Sequence, residues 1–206
     1  YEHENLVRYV EDKASFWESI YLENDAGWDL GGVTPVFDRL SRKMKIGKVC
    51  IVGCGRGYDA IMFSKKGFEV TAIDFASTAD NDLKKMSQEN EVHVEILKEN
   101  IFNLPSEYHF QYDYVIEQTC FCAINPNRRK DYEETVFQLL KPNGLLIGLW
   151  FPLDKLKSDN GPPYGVTKEE LEGIFSERWY KEIEEYPSDS IPTRKNREKL
   201  LVFKKQ

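Results

Sequence analysis

Lys48-Val49-Cys50-Ile51-Val52 runs directly into Gly53-Cys54-Gly55-Arg56-Gly57, and this junction decides the fold. The first five residues are short, apolar and rich in β-branched side chains, which predicts a buried strand. Glycine at alternate positions then predicts a tight turn that brings backbone close to a ligand, because glycine has no Cβ and tolerates unusual dihedrals. Helical spacing from Tyr58 to Lys66 places a helix after the turn. The same alternation continues, with strands at Glu69 to Asp74, His93 to Lys98 and Tyr112 to Glu117, and a helix at Ser77 to Glu89. Strand alternating with helix predicts a parallel sheet covered by helices.

Outward from this centre the pattern holds. Arg128 to Leu140 reads as a helix, Lys141-Pro142-Asn143-Gly144 as the turn that stops it, and Leu145 to Trp150 as a buried strand. Thr167 with Glu170 reads as a capping box for a helix ending at Phe175, with strands near Tyr180 to Tyr186 and Lys199 to Lys204. Upstream, Leu6 to Tyr21 carries apolar residues at helical spacing, and Asn24 to Gly32 is a Gly-, Asp- and Asn-rich loop holding Trp28. Thr34-Pro35 reads as an N-cap and first helical residue, with Val36, Phe37, Leu40 and Met44 as the apolar stripe. The expected organisation is one domain over residues 1–206, with residues 1–45 as an N-terminal helical lid segment and residues 46–206 as the core.

Composition narrows the function. The chain has 206 residues, 41% hydrophobic and 31% charged, which suits one globular domain. A formal net charge of -7 disfavours binding to nucleic acid, and the basic stretch from Arg194 to Lys199 reads as solvated surface. No window is apolar enough to cross a bilayer and the first residues are polar, so a cytoplasmic protein is expected, although a chain that opens on Tyr1 leaves a leader upstream an open question. Cys50, Cys54, Cys120 and Cys122 lack the spacing of a structural zinc site, so no metal is expected.

Asp74 falls twenty-one residues beyond Gly53, at the end of the second strand, where a carboxylate can accept both ribose hydroxyls of an adenosyl group. A nicotinamide dinucleotide site places an acid there too. It would also need a third glycine where Tyr58 stands, and a Tyr and Lys in register as acid, so adenosylmethionine fits better. Asn100-Ile101-Phe102 follows the third strand, where an amide can meet the adenine edge and Ile101 its face. Ordinary polar turns look the same, so this segment adds support only beside the rest.

Further motifs carry a family resemblance. Phe16-Trp17, Gly27-Trp28-Asp29-Leu30-Gly31, Thr34-Pro35, Val52-Gly53-Cys54-Gly55-Arg56-Gly57-Tyr58-Asp59 and Ala72-Ile73-Asp74 resemble the thiopurine methyltransferase family, within it the plant-type thiol and halide methyltransferases. So do Phe121-Cys122-Ala123-Ile124, Leu139 to Gly144, Gly161-Pro162-Pro163-Tyr164 and Ile191-Pro192-Thr193-Arg194-Lys195. The resemblance runs from about Phe16 to Lys205 and implies a Rossmann-like class I methyltransferase, a mostly parallel seven-stranded sheet behind an N-terminal helical lid. It implies S-adenosyl-L-methionine as cofactor, bordered by Trp17 and Trp28, met by the backbone at Gly53, Cys54 and Gly55, and held at the ribose by Asp74. Asn100 and Ile101 would frame adenine, and Glu117 and Gln118 would face the methionine portion.

Two departures stand out. Asn100 replaces an acid common in the family's adenine motif. Gln118 occupies a position that is Arg in animal thiopurine enzymes and Tyr in plant relatives, so substrate preference is not simply inherited. The expected reaction is methyl transfer to a small soft nucleophile, namely a thiol, hydrosulfide, halide or thiopurine-like sulfur. In-line displacement needs no general base, in keeping with His3, His93 and His109 lying in no recognisable constellation. Gln118 and Tyr164 are the candidate substrate contacts, in a pocket covered by the N-terminal helix, Trp28, Phe121, Phe151-Pro152 and the Pro163-Tyr164 loop, with Phe121 and Phe151 reading equally well as core. A catalytically silent adenosylmethionine-binding module is the remaining alternative, since fold does not guarantee activity.

Overall fold

The computed structural model describes residues 13–22, 31–53, 57–74 and 76–206, without the side chains of residues 17 and 20–22. Helices α1 (Ala14–Leu22) and α2 (Pro35–Ser41) precede β1 (Lys48–Val52). Then follow α3 (Tyr58–Lys65), β2 (Glu69–Ile73), α4 (Ser77–Glu89), β3 (Glu95–Leu97) and β4 (Tyr112–Gln118). The chain continues through α5 (Arg129–Leu139), β5 (Leu140–Trp150), α6 (Lys168–Ile174), β6 (Trp179–Glu185) and β7 (Lys199–Lys205).

The seven strands form one sheet in the order β3-β2-β1-β4-β5-β7-β6. Strands β1 to β5 pair in parallel, whereas β7 pairs antiparallel with both β5 and β6. The chain steps outward from β1 to β3 and then returns to lay β4 on the other side of β1. That reversal opens a crevice at the carboxyl ends of β1 and β4, where open α/β sheets take ligands.

Both faces of the sheet are covered, which is why its central strands are apolar throughout instead of alternating. Val49 and Ile51 pack on one side with Phe37 of α2, Phe63 of α3 and Leu83 of α4. Cys50 and Val52 pack on the other with Phe121, Tyr132, Leu139, Trp150 and Phe175. Phe37 and Phe63 are fully buried, each contributing about 1.5–3 kcal/mol by leaving water.

Two local expectations are revised, within β5 and at the start of α6. Residues 6–12 of the expected first helix lie outside the described residues, and α1 begins at Ala14. Thr34 is the N-cap residue of α2 and Pro35 opens the helix, as expected, but the Thr34 side chain makes no cap bond because its hydroxyl is engaged by Asp59 of α3. Lys141 to Gly144 does not end before the strand begins. It is accommodated within β5 as a bulge, since Leu140 pairs with Tyr112 and Leu145 with Tyr114, and Asn143 takes the left-handed conformation that releases the extra residues (φ 65°). Thr167 does cap α6 by accepting from the Glu170 N–H at 3.1 Å, but the Glu170 carboxylate bonds Arg129 at 2.9 Å.

Candidate functional site

Register aligns the site. Val52 pairs with Ile73 on one side and with Glu117 on the other, so Gly53, Asp74 and Gln118 are the next residues of three adjacent strands. With neighbouring strands about 4.8 Å apart, the three stand in a row across the crevice. Gly53 has φ 60°, and a Cβ there would lie 2.9 Å from Cys120 Cβ, so both backbone and neighbour exclude a side chain. Gly57, at φ 91°, starts α3 with Leu83 Cδ1 only 2.4 Å from where its Cβ would be. Cys54 and Gly55, with Arg56, lie outside the described residues, as does Trp28. The side chain of Trp17 does too.

At β2, the Asp74 N–H still donates to Leu97 of β3 at 3.1 Å, and Asp74 Oδ1 accepts from the Ala76 N–H at 3.1 Å. This bond fixes the carboxylate where the strand gives way to α4. Helix α4 has no side-chain cap of its own. Glu18 of α1 supplies one, its two carboxylate oxygens accepting from the Thr78 N–H at 3.1 and 2.9 Å, with the Thr78 hydroxyl donating as well. Burial pushes Glu18 up, but the bonds from Thr78 and Ser77 outweigh it and hold the carboxyl below its ordinary value. Helix α1 is thereby tied down beside the start of α4. Beyond β3, Asn100 Oδ1 accepts from the Phe102 N–H at 3.0 Å and opens a short 3-10 turn at Ile101–Asn103. Ile101 is half-buried in that turn.

The two residues ending β4 point to opposite faces. Glu117 is buried at 1% exposure, and its Oε1 accepts from the Phe121 N–H at 2.6 Å and the Tyr132 hydroxyl at 3.0 Å. Burial pushes its pKa up to about 7, with hydrogen bonds from Phe121, Tyr132 and Cys120 pulling the other way. Its carboxyl thereby braces the turn after β4 from beneath. Gln118 lies on the α2 and α3 side. Its Oε1 is 3.1 Å from Thr34 Oγ1, and its Nε2 is buried without a hydrogen-bond partner among the described residues. A buried donor left unpaired costs about 1–3 kcal/mol, which marks this amide as a group awaiting a partner. Asp59, in the first turn of α3, accepts from the Thr34 N–H at 2.8 Å, and its other carboxyl oxygen lies 2.8 Å from the Thr34 hydroxyl.

On the other side of the crevice, Phe121 is core and not a lid, packed edge-on against Tyr132 and Trp150 at 5.3 Å. Phe151 is half-buried under the guanidinium groups of Arg194 at 4.7 Å and Arg197 at 5.1 Å. The Tyr164 N–H donates to Cys122 O at 2.8 Å, which ties the Pro163-Tyr164 loop to the turn after β4. Arg194 escaped the sequence reading. Of the stretch from Arg194 to Lys199, Lys195, Asn196 and Arg197 are exposed as expected, whereas Arg194, Glu198 and Lys199 are buried as the chain re-enters the sheet at β7. The available signal was Ile191-Pro192-Thr193, an apolar and stiff approach unusual before an exposed charge cluster.

Among the described residues no cluster of His, Cys, Asp or Glu is arranged to hold a metal ion, and no helix is long and apolar enough to cross a membrane.

Comparison with known proteins places this geometry. The family model for thiopurine S-methyltransferase matches residues 12–205. Thiocyanate methyltransferase 1 of Arabidopsis thaliana is 32% identical, over 98% of this chain and 93% of its own length. Probable thiol methyltransferase 2 of the same plant is 32% identical, over 95% of this chain and 87% of its own. Burkholderia thailandensis 1,6-didemethyltoxoflavin-N1-methyltransferase, solved with bound S-adenosylhomocysteine, shares the fold with a TM-score of 0.75 at 17% identity, covering 94% of this chain and 87% of that one.

Proposed function

The chain belongs to the thiopurine S-methyltransferase family and is an S-adenosylmethionine-dependent methyltransferase, and from that premise we propose that its acceptor is a small soft anion such as thiocyanate, hydrosulfide or iodide. The observation that carries this reading is the buried, unpaired Nε2 of Gln118, a hydrogen-bond donor at the crevice in the position next to Gly53. The names of the plant relatives agree in chemistry.

The residues present fit the cofactor. A turn at Gly53 with no room for a side chain admits close backbone approach, and a carboxylate stands one strand away at Asp74. We assign Asp74 to the ribose hydroxyls, Gly53, Cys54 and Gly55 to backbone contact, and Asn100 and Ile101 to adenine. Asn100 Oδ1 already accepts one bond, so its Nδ2 is the better-placed group for adenine. Trp17 and Trp28 are assigned to the methionine end, where aromatic faces attract a sulfonium. Tyr164 and Gln118 are assigned to the acceptor. The cofactor supplies a methyl group on a cationic sulfur. The chain's part is to align the nucleophile and exclude water, which needs no general base for an anion. One domain suffices for this, with the segment before β1 as its lid. Free, buried thiols at Cys50 and Cys122 suit a cytoplasmic setting.

The test is release of adenosylhomocysteine with iodide, thiocyanate, hydrosulfide and an aromatic thiol offered separately. Turnover with the anions, weakened about tenfold or more in kcat/KM by Gln118→Leu, is expected from the loss of one hydrogen bond to a charged group. Turnover with the aromatic thiol alone would replace this reading with a wider, thiopurine-type pocket.

A further inference from the structure

Thr34 has one hydroxyl proton and two acceptors within reach. Its Oγ1 stands 2.8 Å from Asp59 Oδ2 and 3.1 Å from Gln118 Oε1, while its N–H already donates to Asp59 Oδ1. Two arrangements satisfy this triangle. When Asp59 is ionised, the charged oxygen takes the Thr34 proton. Gln118 Oε1 would then face only lone pairs, so the carboxamide turns over, Nε2 donates to Oγ1, and Oε1 is left outward. When Asp59 is protonated, it donates to Thr34 Oγ1, Thr34 donates to Gln118 Oε1, and Nε2 is left outward. The Gln118 amide, with Oε1 on Thr34 and Nε2 unpaired, has the orientation that the second arrangement requires, and the 2.8 Å between Thr34 Oγ1 and Asp59 Oδ2 serves a proton on either oxygen.

We infer that Asp59 is a positioning residue for methyl transfer: acting through Thr34, its protonation decides whether Gln118 offers a donor or an acceptor to the nucleophile. The inference rests on the reading of Gln118 as the acceptor contact. It gives this position a selectivity that a fixed Arg would lack, since an outward donor welcomes an anion and an outward carbonyl repels one.

The exchange falls in an accessible range, because burial raises Asp59 to about 6, only partly offset by the Thr34 bonds. No charged neighbour among the described residues contributes to that shift. On α2, Asp38 is paired with Lys66 and Arg42, and Arg39 with Glu185 and Asp189. On α4, Asp80 pairs with Lys84, and on β1, Lys48 pairs with Glu69 at the far end of the strand. On β4, Glu117 faces the opposite side of the sheet and Asp113 pairs with Lys141.

The experiment is a kcat/KM profile for iodide from about pH 5 to about pH 8, since iodide itself does not titrate there and kcat/KM reports the free enzyme. Wild type should fall at least about tenfold as pH rises through the Asp59 transition, as one charge-assisted hydrogen bond is lost. Asp59→Asn reproduces the protonated carboxyl, accepting from the Thr34 N–H and donating to its hydroxyl, and should stay at the low-pH value throughout. Thr34→Val cuts the relay and should flatten the profile as well. A purely structural Asp59 would move melting temperature or cofactor affinity and leave the slope intact. Asp59→Asn with the wild-type slope, while Gln118→Leu still lowers kcat/KM, overturns this inference alone. If Gln118→Leu changes nothing at any pH, the acceptor reading fails and takes this one with it.

Discussion

Glu117 is a carboxyl surrounded by donors but by no cation, and that setting decides its stability signature. Its folded pKa, about 7, lies above the ordinary 4.5. The group therefore stabilises fully below about pH 4.5, and that contribution is lost as pH rises through about 7. Glu117→Gln keeps an oxygen for the Phe121 N–H and the Tyr132 hydroxyl and removes the cost of ionisation. We expect the variant to gain on the order of 3 kcal/mol over wild type near pH 8 and under about 1 kcal/mol near pH 5, read by denaturant unfolding at both. An equal difference at both pH values would mean that Glu117 does not titrate in this window. Sequence made Asp74 and Gly53 legible because their meaning depends on spacing along a strand, turn and helix. It misjudged Arg194 because burial of a charge depends on which distant element covers it.

Helix α4 depends on α1 for its cap, and this link joins the N-terminal segment to the row of site residues. Glu18→Ala should fray the first turn of α4 and loosen α1, at about 1 kcal/mol of stability, the usual worth of an N-cap. Hydrogen exchange at Ser77 to Asp80 should quicken while exchange in β1 and β4 stays slow. Protection unchanged across both would show that α1 does not hold α4. The elements themselves read well from periodicity, and Ser77–Glu89 and Lys48–Val52 match their sequence limits. The differences sit where a side chain serves a remote element. Thr34 has the residue type of a cap and gives its hydroxyl to α3, and Glu170 completes the pattern of a capping box but binds Arg129. The bulge at Lys141 to Gly144 carries a turn's composition inside a strand, because local sequence reports the bend and not the pairing on either side of it.

For the whole molecule, seven strands were readable but their order was not, since a strand's sequence records its two faces and says little about its neighbours. The reversal of β7 is the least local feature. It sits between β5 and β6, and Lys205 Nζ reaches back to Phe137 O and Leu140 O at 2.7 Å. Removing Lys199 to Lys205 should leave β6 without a partner and β5 with an open apolar edge, so the shortened chain should appear in the pellet after expression, whereas a compact, soluble product would argue that β7 is peripheral. The same placement sets a timetable for biosynthesis. A ribosome that has delivered everything through β6 has made the site residues of β1, β2 and β4, yet the nascent sheet must wait with its fifth strand uncovered. Closure is postponed to the segment translated after all of them, and until then the half-built enzyme is a client for whatever shields exposed strands in the cell.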